Sequence, residues 1–316
     1  MSDENATDEQ LEGARNDTLF GSEQLTPEEA SRLLARGPGR LVVLMGEAGA
    51  GKTTLATELY ERQRRVGSTA RIAGSWTLLA LEQLAARRRA DGALPPAGRD
   101  RVDPSGREIL HLALASGDEP LHLLLGDLPG ELFRKLADNQ LDSSELPWLH
   151  RADKLVLLVD GAQLCDPGTR SSPITRVRQL AERLAAFGLP HAQTRVALLV
   201  SKWDLVREQP GALAYWEPRE AELLADLRAL DPHAVALRVS APTGALTDEL
   251  APLRDWLLEV SPSNGIAAAL DWDTPLREAF PVGAAAANQL PAAADVEFTW
   301  PDERPRRRWR PWRWRR

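Results

Sequence analysis

The chain has 316 residues, 43% of them hydrophobic and 27% charged, enough for a globular core, with no apolar run of the ~20 residues that a membrane-spanning helix needs. A single cysteine, Cys165, excludes an intramolecular disulfide and a cysteine-built metal site. The formal net charge of −7 is uneven: residues 304–316 carry eight arginines and no acid, and subtracting those eight leaves about −15, which argues against nucleic-acid binding by the body of the protein.

Residues 1–24 are polar and acidic, and their composition predicts a disordered arm. The opening Met1-Ser2-Asp3-Glu4 lacks the basic and apolar regions of a signal peptide, so a cytoplasmic location is expected. Thr26-Pro27-Glu28-Glu29 is a helix start, with a threonine cap, a first-turn proline and acids at the positive end of the dipole. That helix is expected to reach about residue 36 and to stop at Gly37-Pro38-Gly39.

Residues 41–45 form an apolar run ending in a glycine loop, which predicts a buried parallel strand. A helix is expected over 53–65, and another over 76–89 with Leu78, Leu79, Leu81, Leu84 and Ala85 on one side. Strands over 109–115 and 121–126 should be neighbours that turn at Ser116-Gly117-Asp118-Glu119. Three further short runs, 155–159, 196–200 and 235–239, alternate with helical patterns at 175–187, 218–230 and 247–260. Short buried strands alternating with helices predict an α/β fold: a doubly wound, mostly parallel sheet that binds ligands at its C-terminal strand ends.

The expected organisation is an acidic arm (1–24), an N-terminal helix (25–37), an α/β domain (38–261), an Ala/Pro-rich linker (262–303) and an Arg/Trp-rich tail (304–316).

Four motifs stand at the ends of apolar runs. The first is Gly46-Glu47-Ala48-Gly49-Ala50-Gly51-Lys52-Thr53, followed by Thr54. Its glycines let backbone N–H groups curl around phosphates, its lysine reaches the β/γ oxygens, and the Thr53 hydroxyl suits one Mg²⁺ position. Arginine supplies nearly all the basic residues here; of only four lysines, Lys52 and Lys202 fall in motifs, where a compact point charge is needed.

The second motif is Asp127-Leu128-Pro129-Gly130. Its carboxylate can hold Mg²⁺ and its glycine N–H can report a γ-phosphate. In the third, Ser201-Lys202-Trp203-Asp204, the final carboxylate can accept from guanine N1–H and the 2-amino group, a pairing that adenine lacks. The fourth is Ser240-Ala241.

Together these motifs resemble the TRAFAC class of P-loop GTPases, and within it the bacterial double-GTPase proteins of GTPase-associated conflict systems. The resemblance covers most of residues 40–260. It implies a three-layer P-loop G-domain-like sandwich that binds GTP with Mg²⁺, through Thr53 and Asp127 as metal ligands, and works with protein partners of such a system. It makes Ser240-Ala241 the loop whose alanine N–H meets the guanine O6. Ser201 and Pro242 depart from the family pattern, which usually has Asn or Thr and Lys or Leu there.

Two parts stay open. The switch I threonine has candidates in Thr77, within Ser75-Trp76-Thr77-Leu78, and in Ser105; the loop-like stretch is 94–101. The hydrolytic position after the second motif holds Glu131 where many GTPases carry Gln or His, with Arg134 nearby to offset its charge. Intrinsic hydrolysis is therefore expected to be slow, about 10⁻⁴ to 10⁻² per second, unless a partner supplies an arginine.

Two rival readings accompany this one. One is a P-loop ATPase or small-molecule kinase with Asp127 or Asp160 as its Walker B acid; the other is a non-hydrolysing nucleotide-bound scaffold. His111 and His122 read as satisfied sheet histidines rather than metal ligands. The tail interleaves Trp309, Trp312 and Trp314 with arginine, which suits an anionic membrane surface or an acidic protein better than nucleic acid.

Overall fold

Among the described residues, seven strands form one sheet. The computed structural model describes residues 24–35, 38–64, 71–89, 109–115, 120–142, 146–241 and 249–259. Chain contacts divide into units of Met1–Phe280 and Pro281–Arg316, and every described residue belongs to the first. Residues 1–23 of the acidic arm, the segment holding 94–106 with Ser105, the expected turn at 116–119, Pro242, the Ala/Pro-rich stretch and the Arg/Trp tail lie outside the described residues.

The strands are β1 (Gly39–Met45), β2 (Arg71–Gly74), β3 (Ile109–Ala115), β4 (Pro120–Gly126), β5 (Lys154–Asp160), β6 (Arg195–Ser201) and β7 (Val235–Arg238), and their order in the sheet is β2-β3-β4-β1-β5-β6-β7. Their apolar runs are buried because β1 and its neighbours are covered on both faces. Leu155, Leu157 and Val159 point to one core, while Val156 and Leu158 point to the other. β4, β1, β5, β6 and β7 run parallel. The β4–β3 and β3–β2 pairs are antiparallel, so the sheet is mostly rather than wholly parallel.

β2 escaped the sequence reading. It is four residues long, alternates between exposed and half-buried positions, and sits at the sheet edge, so its pattern is too short to stand out.

Ten helices occur among the described residues: α1 (Pro27–Leu34), α2 (Lys52–Gln63), α3 (Leu78–Arg89), α4 (Gly130–Ala137), α5 (Pro147–Arg151), α6 (Gly161–Cys165), α7 (Ser172–Ala186), α8 (Trp203–Arg207), α9 (Pro210–Leu230) and α10 (Ala251–Leu258). α1 begins with a full capping box: Glu29 N–H donates to Thr26 Oγ1, and Thr26 N–H donates to Glu29 Oε2 at 2.8 Å. The helix buries Ala30, Leu33 and Leu34 against Leu41, Ile109 and Leu124, so it shares a core with the sheet.

Two helix expectations need correction. α3 buries Ala80, Leu81 and Ala85, whereas Leu78 and Leu79 are 45% and 48% exposed, so the apolar stripe is narrower than the leucine spacing implies. α9 starts at Pro210, eight residues before the expected start, and carries Pro218 in its interior. The buried Trp216 and Ala212 anchor this first part to the core and hold the helix together across the proline.

One buried cation has a structural task. Lys154 Nζ donates to the Trp256 carbonyl, and Arg40 donates to the Leu257 carbonyl at 2.5 Å, so both cap the C-terminal end of α10. Burial, followed by the nearby Arg40, pushes the Lys154 ammonium down to about 8.

Candidate nucleotide-binding site

Because β1, β4, β6 and β7 all belong to the parallel part of the sheet, the loops that follow them gather at one edge. Each motif follows one of these strands: the glycine loop after Met45, Asp127 after Gly126, Lys202 after Ser201, and Ser240 after Arg238. Parallel order alone thus turns four segments spread over some two hundred residues into one site.

The glycine loop curls through left-handed glycines at Gly49 (φ +81°) and Gly51 (φ +95°), conformations that strain side-chain-bearing residues. Gly51 is the N-cap of α2 and provides no side-chain cap, so the first N–H groups of the helix are directed at the loop's concavity. Ala50 is buried, and its N–H donates to the Glu47 carbonyl at 3.2 Å. Lys52 Nζ donates to the carbonyls of Gly46 (2.7 Å) and Glu47 (3.0 Å) and lies 5.8 Å from the Phe133 ring centre.

The Thr53 hydroxyl is 2.8 and 3.0 Å from the two carboxylate oxygens of Asp127. A hydroxyl and a carboxylate side by side form the hard-oxygen pair that Mg²⁺ selects, so these residues fit the metal. Thr53 and Asp127 would hold it, and it would neutralise phosphate charge. Asp160, the other acid considered for this role, caps α6 by accepting from Ala162 N–H at 2.9 Å and pairs with Lys202 at 2.8 Å.

Gly130 opens α4 directly against the glycine loop. A Cβ there would lie 2.1 Å from Ala48 N, so only glycine lets the two backbones approach this closely. Glu131 is the next residue of α4 and is half-buried, with Arg134 exposed a turn later. The Glu47 side chain turns aside: Arg176 of α7 holds its carboxylate at 3.0 Å and Asp138 at 2.6 Å, tying the glycine loop to the end of α4.

The third motif is built around Lys202, itself in the left-handed region at φ +51°. Its ammonium donates to the Gly49 carbonyl at 2.9 Å and pairs with Asp160, its partner because Asp160 and Ser201 are register neighbours in β5 and β6. Ser201 is buried and its hydroxyl donates to the Val159 carbonyl at 3.3 Å. Asp204 N–H donates to Ser240 Oγ at 2.9 Å, which locks the third motif to the fourth. Ser240 in turn donates to Glu249, and that bond, aided by Arg207, lowers the Glu249 carboxyl below the usual carboxylate range.

A pocket open to solvent lies between these loops. Gly51, Thr54 and Leu55 of the glycine loop and α2 line one part of it, Ser201, Lys202 and Asp204 another, and Ala241 lines it as well.

Thr77, a switch I candidate, is fully buried and serves the fold. Its hydroxyl accepts from His111 N–H at 2.9 Å and is joined there by Ser75 Oγ, which donates to the His111 carbonyl at 2.7 Å. His111 and His122 stack across β3 and β4 with Nε2 and Nδ1 3.0 Å apart. Trp76 N–H donates to His111 Nδ1 at 2.9 Å, so the proton of a neutral His111 sits on Nε2 and is donated to His122.

Sequence reasoning missed Phe133, Arg176, Glu249 and the partnership of Lys202 with Asp160. Each depends on contacts between elements distant in the chain, and no local signal marked them. Asp160 alone had a signal, its position at a strand end.

The fold and the site define a P-loop nucleotide-binding protein of the α/β class. A family model described as Double-GTPase 2 matches residues 40–257, and the chain belongs to that family: it is a P-loop GTPase of the double-GTPase type. No curated protein matches. Among solved structures, translation elongation factor SelB from Methanococcus maripaludis in complex with the GTP analogue GppNHp is similar at 17% identity and a TM-score of 0.36. That match covers 71% of this chain and 35% of the other, so this chain spans about a third of that structure's length.

Proposed function

We propose that this protein is a GTP-operated switch that hydrolyses its nucleotide slowly and acts with protein partners in a bacterial GTPase-associated conflict or defence system. The observation that carries the reading is the bridge from Lys202 to the Gly49 carbonyl, which joins the base-recognition loop to the phosphate loop around one pocket. Lys52 and the α2 N-terminus bind the phosphates, Thr53 and Asp127 hold Mg²⁺, and Asp204 selects guanine. Slow turnover is supported by Glu131, an anion at the position after Gly130 where a neutral or basic group would orient water.

The contact of Gly130 with Ala48 supports the switching step, because any group entering beside the glycine loop must act on the start of α4. We place the protein in the cytoplasm, with the 304–316 tail directed to an anionic membrane surface or an acidic protein rather than nucleic acid.

The test is the identity of the nucleotide that co-purifies with the protein, with and without Asp204→Asn, followed by single-turnover hydrolysis. The reading expects guanine nucleotide in the wild type and its loss in the variant. Adenine nucleotide retained by both proteins would refute it.

A further inference from the structure

Ala241 is gripped from behind by an arginine that belongs to none of the motifs. Arg88, in the last turn of α3, donates through Nη2 to the Ala241 carbonyl and pairs through Nη1 with the Glu58 carboxylate of α2. Glu61 stands 3.4 Å from the same Nη1. Glu58 is 2% exposed and also pairs with Arg62 at 2.7 Å. A buried carboxylate in this setting requires fixed cationic partners, and the planar fork of Arg88 meets Glu58 with one nitrogen while the other is aimed at the loop.

The geometry points to Arg88 as a positioning residue for purine recognition: holding the Ala241 carbonyl restrains the backbone of Ala241, and with it the place from which the Ala241 N–H, on the preceding peptide, would meet the six-position of the base. The inference rests on the proposed GTP reading. Once Asp204 accepts from N1–H and the 2-amino group of guanine, the adjacent acceptor on the ring is the six-position oxygen, which needs a donor. Ala241 lines the same pocket, and with a methyl side chain it can offer only its backbone N–H.

Two restraints then act on this residue. The following Pro242 biases Ala241 toward extended backbone and leaves the Ala241–Pro242 peptide without an N–H. Arg88 holds the carbonyl of that same peptide. On its other side, Ser240 is fixed by Asp204 N–H. Arg88 therefore links α2, which begins in the phosphate loop, to the loop that reads the base.

The test is calorimetric binding of GDP, 6-thio-GDP and IDP to the wild type and to Arg88→Gln. 6-Thio-GDP keeps N1–H and the 2-amino group but replaces the six-position oxygen with sulfur, a weaker acceptor. IDP keeps that oxygen and lacks the 2-amino group, so it reports on Asp204 alone. Loss of one well-aimed hydrogen bond predicts that the preference for GDP over 6-thio-GDP falls about fivefold, while the preference for GDP over IDP stays within about twofold.

The double variant Glu58→Gln/Arg88→Gln, which leaves no unpaired buried carboxylate at residue 58, should show the same selective loss even if the single variant is unstable. An unchanged GDP to 6-thio-GDP preference in both variants, or an equal fall in both preferences, would overturn the role of Arg88 and leave the GTP reading standing. A wild type that does not distinguish GDP from ADP would overturn both.

Discussion

Lys202 reaches across 153 residues of chain to donate to the Gly49 carbonyl at 2.9 Å. The same ammonium pairs with Asp160 at 2.8 Å, so one side chain holds the glycine loop, the β5 terminus and the loop of the third motif in register. Replacing it with methionine removes two charge-assisted bonds but keeps the stem. GDP affinity measured by calorimetry should fall about 10- to 100-fold, with faster amide exchange in residues 46–51. Unaltered affinity and exchange would show that the bridge is incidental.

Asp204 is fixed by its own N–H on Ser240 and lines the pocket. Asp204→Asn converts an acceptor pair into one acceptor and one donor. Guanine affinity should drop by about 2–3 kcal/mol, and xanthosine diphosphate, which offers a carbonyl in place of the 2-amino group, should bind better than GDP. Competition binding with the two diphosphates checks this.

A methyl group at Gly130 would lie 2.1 Å from Ala48 N, a clash with backbone that no rotamer change relieves. Gly130→Ala should force the start of α4 away from the glycine loop. Expected results are a loss of about 1–3 kcal/mol in urea denaturation and a weakened response of α4 to nucleotide, read by the fluorescence of nearby Trp148, which packs against Phe133. A variant as stable and responsive as the wild type would contradict the contact.

Stability should fall on mild acidification because of His111. Burial, reinforced by His122, holds its imidazole down to about 3, against about 6.5 in the unfolded chain. The unfolded state therefore binds the extra proton first as pH drops, and the contribution, present above about 6.5, is lost progressively toward 3. Between pH 7 and 5 this amounts to about 2 kcal/mol, and the folded state of His111→Gln, although less stable at pH 7, should lack this part of the slope. Urea titrations at a series of pH values measure it.

Much of the molecule was legible from residue order. The run before Gly46, the capping residues Thr26 and Glu29, and the glycine spacing around Lys52 act over a few residues, so pattern alone located β1, α1 and α2. The α3 stripe misled because Leu78 and Leu79 carry helical spacing but face outward. The start of α9 was missed because Pro218 reads as a helix boundary, whereas burial of Trp216 outweighs the broken hydrogen bond.

Taken alone, the sequence determined six of the seven strands and the longer helices, and that four chemically distinct loops follow strands, because steric preference and hydrophobic periodicity are local properties. Only the tertiary structure decided that β2 completes the sheet beside β3, that Asp127 rather than Asp160 meets Thr53, that Thr77 is consumed by His111, and that Arg88 reaches Ala241. Those outcomes depend on strand order and on which side chains share one buried space, and such contacts join positions too far apart in the chain for any local pattern to encode.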